Sequence, residues 1–238
     1  MCGRSSLTKT EKEIEERFKA TFYSEELERY NPLPNFNVAP TQMHPIITSE
    51  DPSHLHLFKW GLVPFWSKDS KSGAKMINAR LETLDEKAAF KSLLNAKRCI
   101  VPMDGFYEWK TDGKHKAPFR IVTKDQAIFA VAGLWDCWKS PDTGELIYTY
   151  TVITGPPNSL MEQVHNRMPA ILLPENEKLW LDPVIKPHEA LQLLIPYPSE
   201  SMEVYPVSDK VNSVRINEPS LIVPVKNEPK PIQTSLFF

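Results

Sequence analysis

RCIVPMDGFYEWKTDGKHKAPFRIVT, residues 98 to 123, reads as three short strands in succession. RCIVP and GFYEWK are apolar and aromatic runs of strand length, and Thr111-Asp112-Gly113-Lys114 is a hairpin turn leading into APFRIVT. Glycine supplies the positive φ that such a turn needs. The same rhythm continues on both sides. Upstream, PIIT at 45–48 and HLHLFKWGLV at 54–63 read as strands, the latter ending at a glycine. Downstream, AIFAVAGLW at 127–135 and LIYTYTVIT at 146–154 form a second hairpin across SPDTGE.

Helices are placed irregularly among these strands. Thr10 with Glu13 makes a capping box, and Ile14, Phe18 and Phe22 follow at four-residue intervals, which predicts a helix with one buried face. NPLPNFNVAPTQ at 31–42 is rich in Pro and Asn and is expected to be an ordered loop. NSLMEQV, ENEKLWL and PHEALQLLI read as short helices, with PAILL and MEVYPV as strands. Short strands with helices added at intervals predict an α+β fold with a mainly antiparallel, curved, barrel-like sheet core and several short flanking helices. This domain is expected over 1–216. Residues 217–238, dense in proline, are expected to form an extended tail.

Composition limits the function. At 238 residues, with 41% hydrophobic and 24% charged residues, the chain has the make-up of one globular domain. No apolar run approaches the roughly 20 residues of a membrane span, so no membrane contact is expected. Lys9, Glu11, Lys12 and Glu13 interrupt the start, so no secretory leader is expected and a cytoplasmic location is. Three cysteines, at positions 2, 99 and 137, form no C-x-x-C pair, and the six histidines form no H-E-x-x-H, so neither metal nor cofactor is expected. The net charge of −2 excludes a protein that coats long duplexes, and any nucleic-acid contact should be short and local.

Four polar clusters carry chemistry: MCGR at 1–4, INAR at 77–80, DGFYEW at 104–109 and HNRMP at 165–169. Removal of Met1, which a small following side chain permits, leaves Cys2 as a 1,2-aminothiol. Its α-amine, with an ordinary pKa of about 7.7 to 8.0, is partly neutral near pH 7. The amine adds to an aldehyde as an imine, and the thiol then closes a thiazolidine. Taken alone, Cys2 reads more simply as a small residue that merely suits Met removal. Glu108 shares a strand face with Phe106 and Lys110, where burial would fit it for acid-base work, although an edge strand would leave it in solvent. His165 is a proton donor or acceptor near neutrality or a structural histidine. Asn78 and Arg80, two apart, offer an amide and a guanidinium on one face of an extended segment or form a surface turn.

Together with NVAPTQ at 37–42, WGLVPFW at 60–66, Glu82 and AGLW at 132–135, these clusters resemble the SRAP family, the SOS-response-associated peptidases that crosslink to abasic sites in DNA. The resemblance runs in one order over roughly residues 2 to 215. It implies that Cys2, freed of Met1, captures the ring-opened sugar aldehyde of an abasic site in single-stranded DNA as a thiazolidine. It makes Asn78 the residue that positions the Cys2 amine and the sugar, Glu108 the proton shuttle and His165 the aid to ring opening. Arg4, Arg80 and Arg167 then grip phosphates, Phe65, Trp66 and Trp109 stack on bases, and Pro40 wedges against a base pair at a single-strand/double-strand junction. Trp60 is assigned to the core. A monomer with thiol autopeptidase and DNA-crosslinking activity is implied, and the imine makes strand cleavage by a lyase reaction chemically accessible.

In the tail, Gln233, Leu236 and Phe237 resemble the peptide by which bacterial repair proteins dock on the sliding clamp. Three other readings compete for the chain. An N-terminal-nucleophile amidohydrolase shares the Met-Cys-Gly start but not GFYEW or HNRMP. A cysteine peptidase acting on other proteins would need an extended substrate to pass a nucleophile at the chain terminus. A non-enzymatic single-strand binder would carry more basic charge.

Overall fold

The computed structural model describes residues 2–113 and 115–225. In chain order the elements are β1 (Ser5–Leu7), α1 (Glu11–Phe18), β2 (Thr21–Phe22), α2 (Ser24–Arg29), β3 (Asn35–Val38), β4 (Met43–Thr48), β5 (His54–Trp60), β6 (Asn78–Arg80), α3 (Ala88–Ala96), β7 (Arg98–Met103), β8 (Gly105–Asp112), β9 (His115–Thr123), β10 (Phe129–Lys139), β11 (Leu146–Gly155), β12 (Met168–Pro169), α4 (Pro174–Leu181), α5 (Pro187–Gln192) and β13 (Met202–Pro206).

One sheet runs β12-β11-β10-β7-β4-β5-β2, and a parallel pairing of β11 with β5 joins its ends, so that β11, β10, β7, β4 and β5 close a five-stranded barrel. The expected α+β class with a barrel-like core is what the chain adopts. Alternation along these strands sorts the core in two. Leu55, Leu57, Ile100, Ala132, Leu134 and Ile153 pack with Ile14 of α1, Phe90 and Leu93 of α3 and Trp180 of α4. Helices can only cover the outside of a closed sheet. The opposite set, Phe58, Trp60, Cys99, Val101, Val131, Trp135, Tyr150 and Val152, therefore fills the barrel.

A second sheet, β13-β9-β8-β1-β3, lies over the barrel and contributes Phe106 and Ile121 to the interior cluster. Its next-to-edge strand is β1, held between β8 and β3 through Ser5, which pairs with both Phe106 and Val38. A buried polar knot fastens it: Asp104 accepts from the Ser6 hydroxyl at 2.6 Å and the Thr8 backbone N–H at 2.6 Å, and pairs with Arg120 at 3.1 Å. Gly105 makes this possible, since a Cβ there would lie 2.7 Å from the Arg120 guanidinium.

Several local expectations change. Asn35–Val38 is a strand, not loop, because β1 offers it an open edge. The capping box at Thr10 forms, but α1 stops at Phe18, where Lys19 turns left-handed at φ 55°, and Phe22 joins β2 against β5. NSLMEQV supplies only one turn of 3-10 helix, Met161–Gln163, and PAILL only Pro169 of the two-residue β12 and an isolated bridge from Ile171 to Val131. The helix Ala88–Ala96 was not expected; its Phe90, Leu93 and Leu94 are buried. Residues 217–225 lie on the domain, with Leu221 buried and the Asn217 side chain accepting from the Phe36 N–H at 2.7 Å. Gln233, Leu236 and Phe237 fall outside the described residues.

Inside the fold, His44 is fully buried and its Nε2–H donates to the Pro102 carbonyl at 2.7 Å. Burial pushes its pKa from 6.5 down to about 4. The unfolded chain therefore takes up a proton that the folded chain refuses. Stability present above pH 6.5 is lost as the pH falls toward about 4, by on the order of 3 kcal/mol. Urea unfolding of His44→Gln, which keeps a donor, should show a much flatter acid limb over that window.

Candidate active site

The N-terminal segment enters between the barrel and the second sheet. The Arg4 carbonyl accepts from the Tyr107 N–H at 2.9 Å, which continues the β1–β8 ladder toward the chain start. Cys2 is consequently fully buried among the barrel-interior residues, with its Sγ 3.9 Å from the Arg4 carbonyl. Burial, with the Glu108 carboxylate adding to it, pushes the Cys2 thiol far above its ordinary value. The sulfur is therefore held as a neutral thiol.

Asn78 reaches Cys2 from β6, which pairs in parallel with β11 through Asn78 and Val152, Ala79 and Ile153, and Arg80 and Thr154. Ala79 turns into the outer core, so Asn78 and Arg80 share the other face, as the extended reading requires. The Asn78 Nδ2–H donates to the Cys2 carbonyl at 2.8 Å. Its Oδ1 is buried with no hydrogen-bond partner among the described residues. An amide oxygen left in that state is an acceptor waiting for a donor.

Glu108 is 2% exposed on β8, on the face it shares with Phe106. Burial raises its pKa, and the proximity of His165 works against that rise. His165 Nε2 stands 4.0 Å from Glu108 Oε2. The Arg167 backbone N–H points at His165 Nδ1 over 3.1 Å. The Arg167 carbonyl lies 3.4 Å from the same nitrogen, so Nδ1 is held against the Arg167 backbone while Nε2 faces Glu108. Cys2, Asn78, Glu108 and His165, spread over 163 positions of sequence, are thus neighbours.

The basic and aromatic residues divide. Arg4 is half-buried, donating to Asn37 Oδ1 at 2.7 Å and to the Val211 and Asn212 carbonyls, and lies over the Trp109 ring at 5.9 Å. Arg167 is ion-paired with Glu82 and donates to the Thr154 carbonyl and hydroxyl. Most of their donors are spent within the chain. Arg80 is exposed. Trp109 is half-buried and anchored by its Nε1–H on Asn212 Oδ1 at 2.8 Å; with Glu108, Thr111, Lys116, His165 and Asn212 it lines an open cavity of about 470 Å³. Phe65 and Trp66 are 64% and 58% exposed. Trp60 is buried, donating to the Ile77 carbonyl at 2.9 Å. Pro40 is half-buried in a turn held to β5 by the Thr41 N–H on the Trp60 carbonyl.

Sequence reasoning missed Asn212 and Lys116, because nothing near them in the chain marks them, and it quoted Asn37 only as part of NVAPTQ, with no role of its own. Among the described residues no three His, Cys, Asp or Glu side chains are placed to hold a metal ion, and no helix is long and apolar enough to cross a membrane.

A family model described as SOS response associated peptidase (SRAP) matches residues 1–214. The abasic site processing protein YoqW of Bacillus subtilis is 48% identical over 225 residues, covering 93% of this chain and 99% of YoqW. The abasic site processing protein HMCES of Xenopus tropicalis is 33% identical over 267 residues, covering 94% of this chain and 78% of that one. A crystal structure of a protein from Bacteroides thetaiotaomicron superposes with a TM-score of 0.87 at 32% identity, over 94% of this chain and all of the other.

Proposed function

Since the chain belongs to the SRAP family, whose curated relatives process abasic sites, we propose that it captures abasic sites in single-stranded DNA as a thiazolidine on Cys2. The observation that carries this reading is the convergence of Cys2, Asn78, Glu108 and His165 on the chain start. Removal of Met1 exposes the Cys2 amine, with Glu108 moving protons for that hydrolysis as well.

The closed sugar must open first. The C1′–O4′ bond breaks, O4′ gains a proton and the C1′ hydroxyl loses one, leaving an aldehyde; His165, with its Nε2 facing Glu108, serves this exchange. The amine adds to C1′, and loss of water with a proton from Glu108 gives the imine. Addition of the neutral thiol then forms the S–C1′ bond while the thiol proton passes to nitrogen. The sum is aldehyde plus aminothiol giving thiazolidine plus water. A carboxyl pKa raised by burial suits this two-way traffic, because it makes the acid form easier to regain after each proton is given up. The Asn78 amide holds the Cys2 carbonyl and presents Oδ1 to the amine or a sugar hydroxyl.

Exposed Phe65 and Trp66 supply base-stacking surface, at about 1–3 kcal/mol per base, and Pro40 marks the junction side. The imine also opens a lyase route to strand cleavage. The test is incubation with single-stranded DNA bearing one abasic site, followed by a denaturing gel. A heat-stable adduct is expected; hydrolysis of glutamine or casein without any adduct would overturn the reading. Sliding-clamp docking through Gln233, Leu236 and Phe237 is a separate proposal. A fluorescent peptide of residues 229–238 should bind a bacterial clamp, and a flat anisotropy titration would remove it.

A further inference from the structure

The barrel carries another cavity, of about 470 Å³, at the end away from Cys2. Its place follows from β11, which passes it at Tyr148 and reaches the strand partner of Asn78 only at Val152. None of Cys2, Asn78, Glu108 and His165 lines it.

Four aromatic side chains form much of its wall: Tyr23, Phe58, Trp135 and Tyr148. Phe58 and Tyr148 stack at 5.2 Å with 19° between their planes, and Trp135 stands 5.4 Å from Phe58 and 6.2 Å from Tyr148. Tyr23 and Tyr148 are exposed, so aromatic surface is open to solvent there. Trp135, the last residue of the AGLW run, is only 5% exposed, and its indole N–H is buried without an acceptor among the described residues. A buried donor in that state is a place for an acceptor. The same ring already carries a cation of the chain's own: Lys97 Nζ lies 4.8 Å from its centre, with its charge paired to Asp136 at 2.8 Å.

Charge around the cavity is chiefly of one sign. Glu25, Glu26, Glu50 and Asp51 line it, and no lysine or arginine does among the described residues. Two of these carboxylates are engaged. Asp51 accepts from the Tyr23 hydroxyl at 2.9 Å and faces His54 and His56 at 2.8 and 3.1 Å, and Glu26 accepts from the Leu57 N–H at 2.9 Å. Glu25 and Glu50 are exposed and enter no ion pair or hydrogen bond among the described residues. Aromatic faces beside unengaged carboxylates select a flat, weakly hydrated cation that stacks and also forks hydrogen bonds, which is a guanidinium. The volume is that of an ordinary small-ligand site.

We propose that this cavity binds an arginine residue, its guanidinium held by the aromatic faces and the Glu25 and Glu50 carboxylates, and its carbonyl oxygen accepting from the Trp135 N–H. The site is independent of the abasic-site reading and uses none of the residues assigned to it.

The test titrates the full chain with N-acetyl-arginine methylamide, followed by saturation-transfer NMR of the ligand. The neutral citrulline counterpart, of nearly the same shape, should not bind, and the lysine counterpart should bind more weakly. Glu25→Gln/Glu50→Gln should weaken binding of the arginine compound by about 10-fold or more, the worth of a hydrogen bond to a charged group. Trp135→Phe keeps an aromatic face and removes the N–H. It should weaken the arginine compound by roughly 2- to 10-fold, the worth of one neutral hydrogen bond, and leave butylguanidine, which has no carbonyl, unchanged. Thermal melting reports that both variants are folded.

A peptide with one internal arginine separates two sources of this chemistry: tighter binding of the peptide assigns the site to a protein partner, and tighter binding of the single residue assigns it to a free amino acid. Equal binding of the citrulline compound, undiminished binding by Glu25→Gln/Glu50→Gln, or an arginine compound that shows no transfer overturns the proposal.

Discussion

Cys2→Ala is expected to abolish the heat-stable adduct with abasic single-stranded DNA, yet to leave an adduct that borohydride traps. Alanine at position 2 keeps the α-amine and so still forms the imine, but it has no sulfur to close the ring. An extension ahead of Cys2 that cannot be removed should abolish both products, because it occupies the amine itself. A denaturing gel run with and without borohydride separates the three proteins. The order of events follows from burial: a fully buried thiol whose pKa is pushed up is a poor first nucleophile, whereas an amine of ordinary pKa is a competent one. Should Cys2→Ala still yield the heat-stable adduct, the sulfur would have no part in the linkage.

Glu108→Gln should slow crosslinking by about 10²–10⁴-fold, the usual worth of a positioned proton-transfer group, while affinity is retained for a strand carrying a tetrahydrofuran abasic analogue, which has no aldehyde and cannot crosslink. The same substitution should stabilise the protein in a pH-dependent way. Burial raises the Glu108 pKa, so the folded chain holds this proton more tightly than the unfolded chain does. The stability this confers is complete below the ordinary value of 4.5 and is lost as pH rises through the raised native value. Glutamine carries no such loss. The melting-temperature difference between Glu108→Gln and wild type should therefore widen in favour of the variant from about pH 4.5 upward. A flat difference across that range would mean that the carboxylate is not held in the desolvated state its 2% exposure describes. Slower chemistry together with greater stability is the signature of a residue retained for reaction and not for folding.

The site was legible in part. INAR read as an extended pair, and β6 places Asn78 and Arg80 on one face because Ala79 takes the core side. GFYEW read as a strand with Glu108 beside Phe106, and both are buried there. The phosphate grip was not legible. Arg4 and Arg167 look equivalent to Arg80 in the sequence, yet Asn37, Val211 and Asn212 draw in the first and Glu82 with Thr154 the second. Those partners lie up to 208 positions away in the chain.

The chain's own residues determined the strands, through local alternation and turn chemistry, and the chemistry at Cys2, because an amine and a thiol on adjacent carbons are covalent facts. Only the tertiary structure decided that β11 meets β5 to close the barrel, that Ser5–Leu7 threads between β8 and β3 in the second sheet, and which arginines are drawn inward by distant partners. Those outcomes depend on which distant groups compete for the same hydrogen bonds and the same buried volume, and no local window of sequence contains that competition.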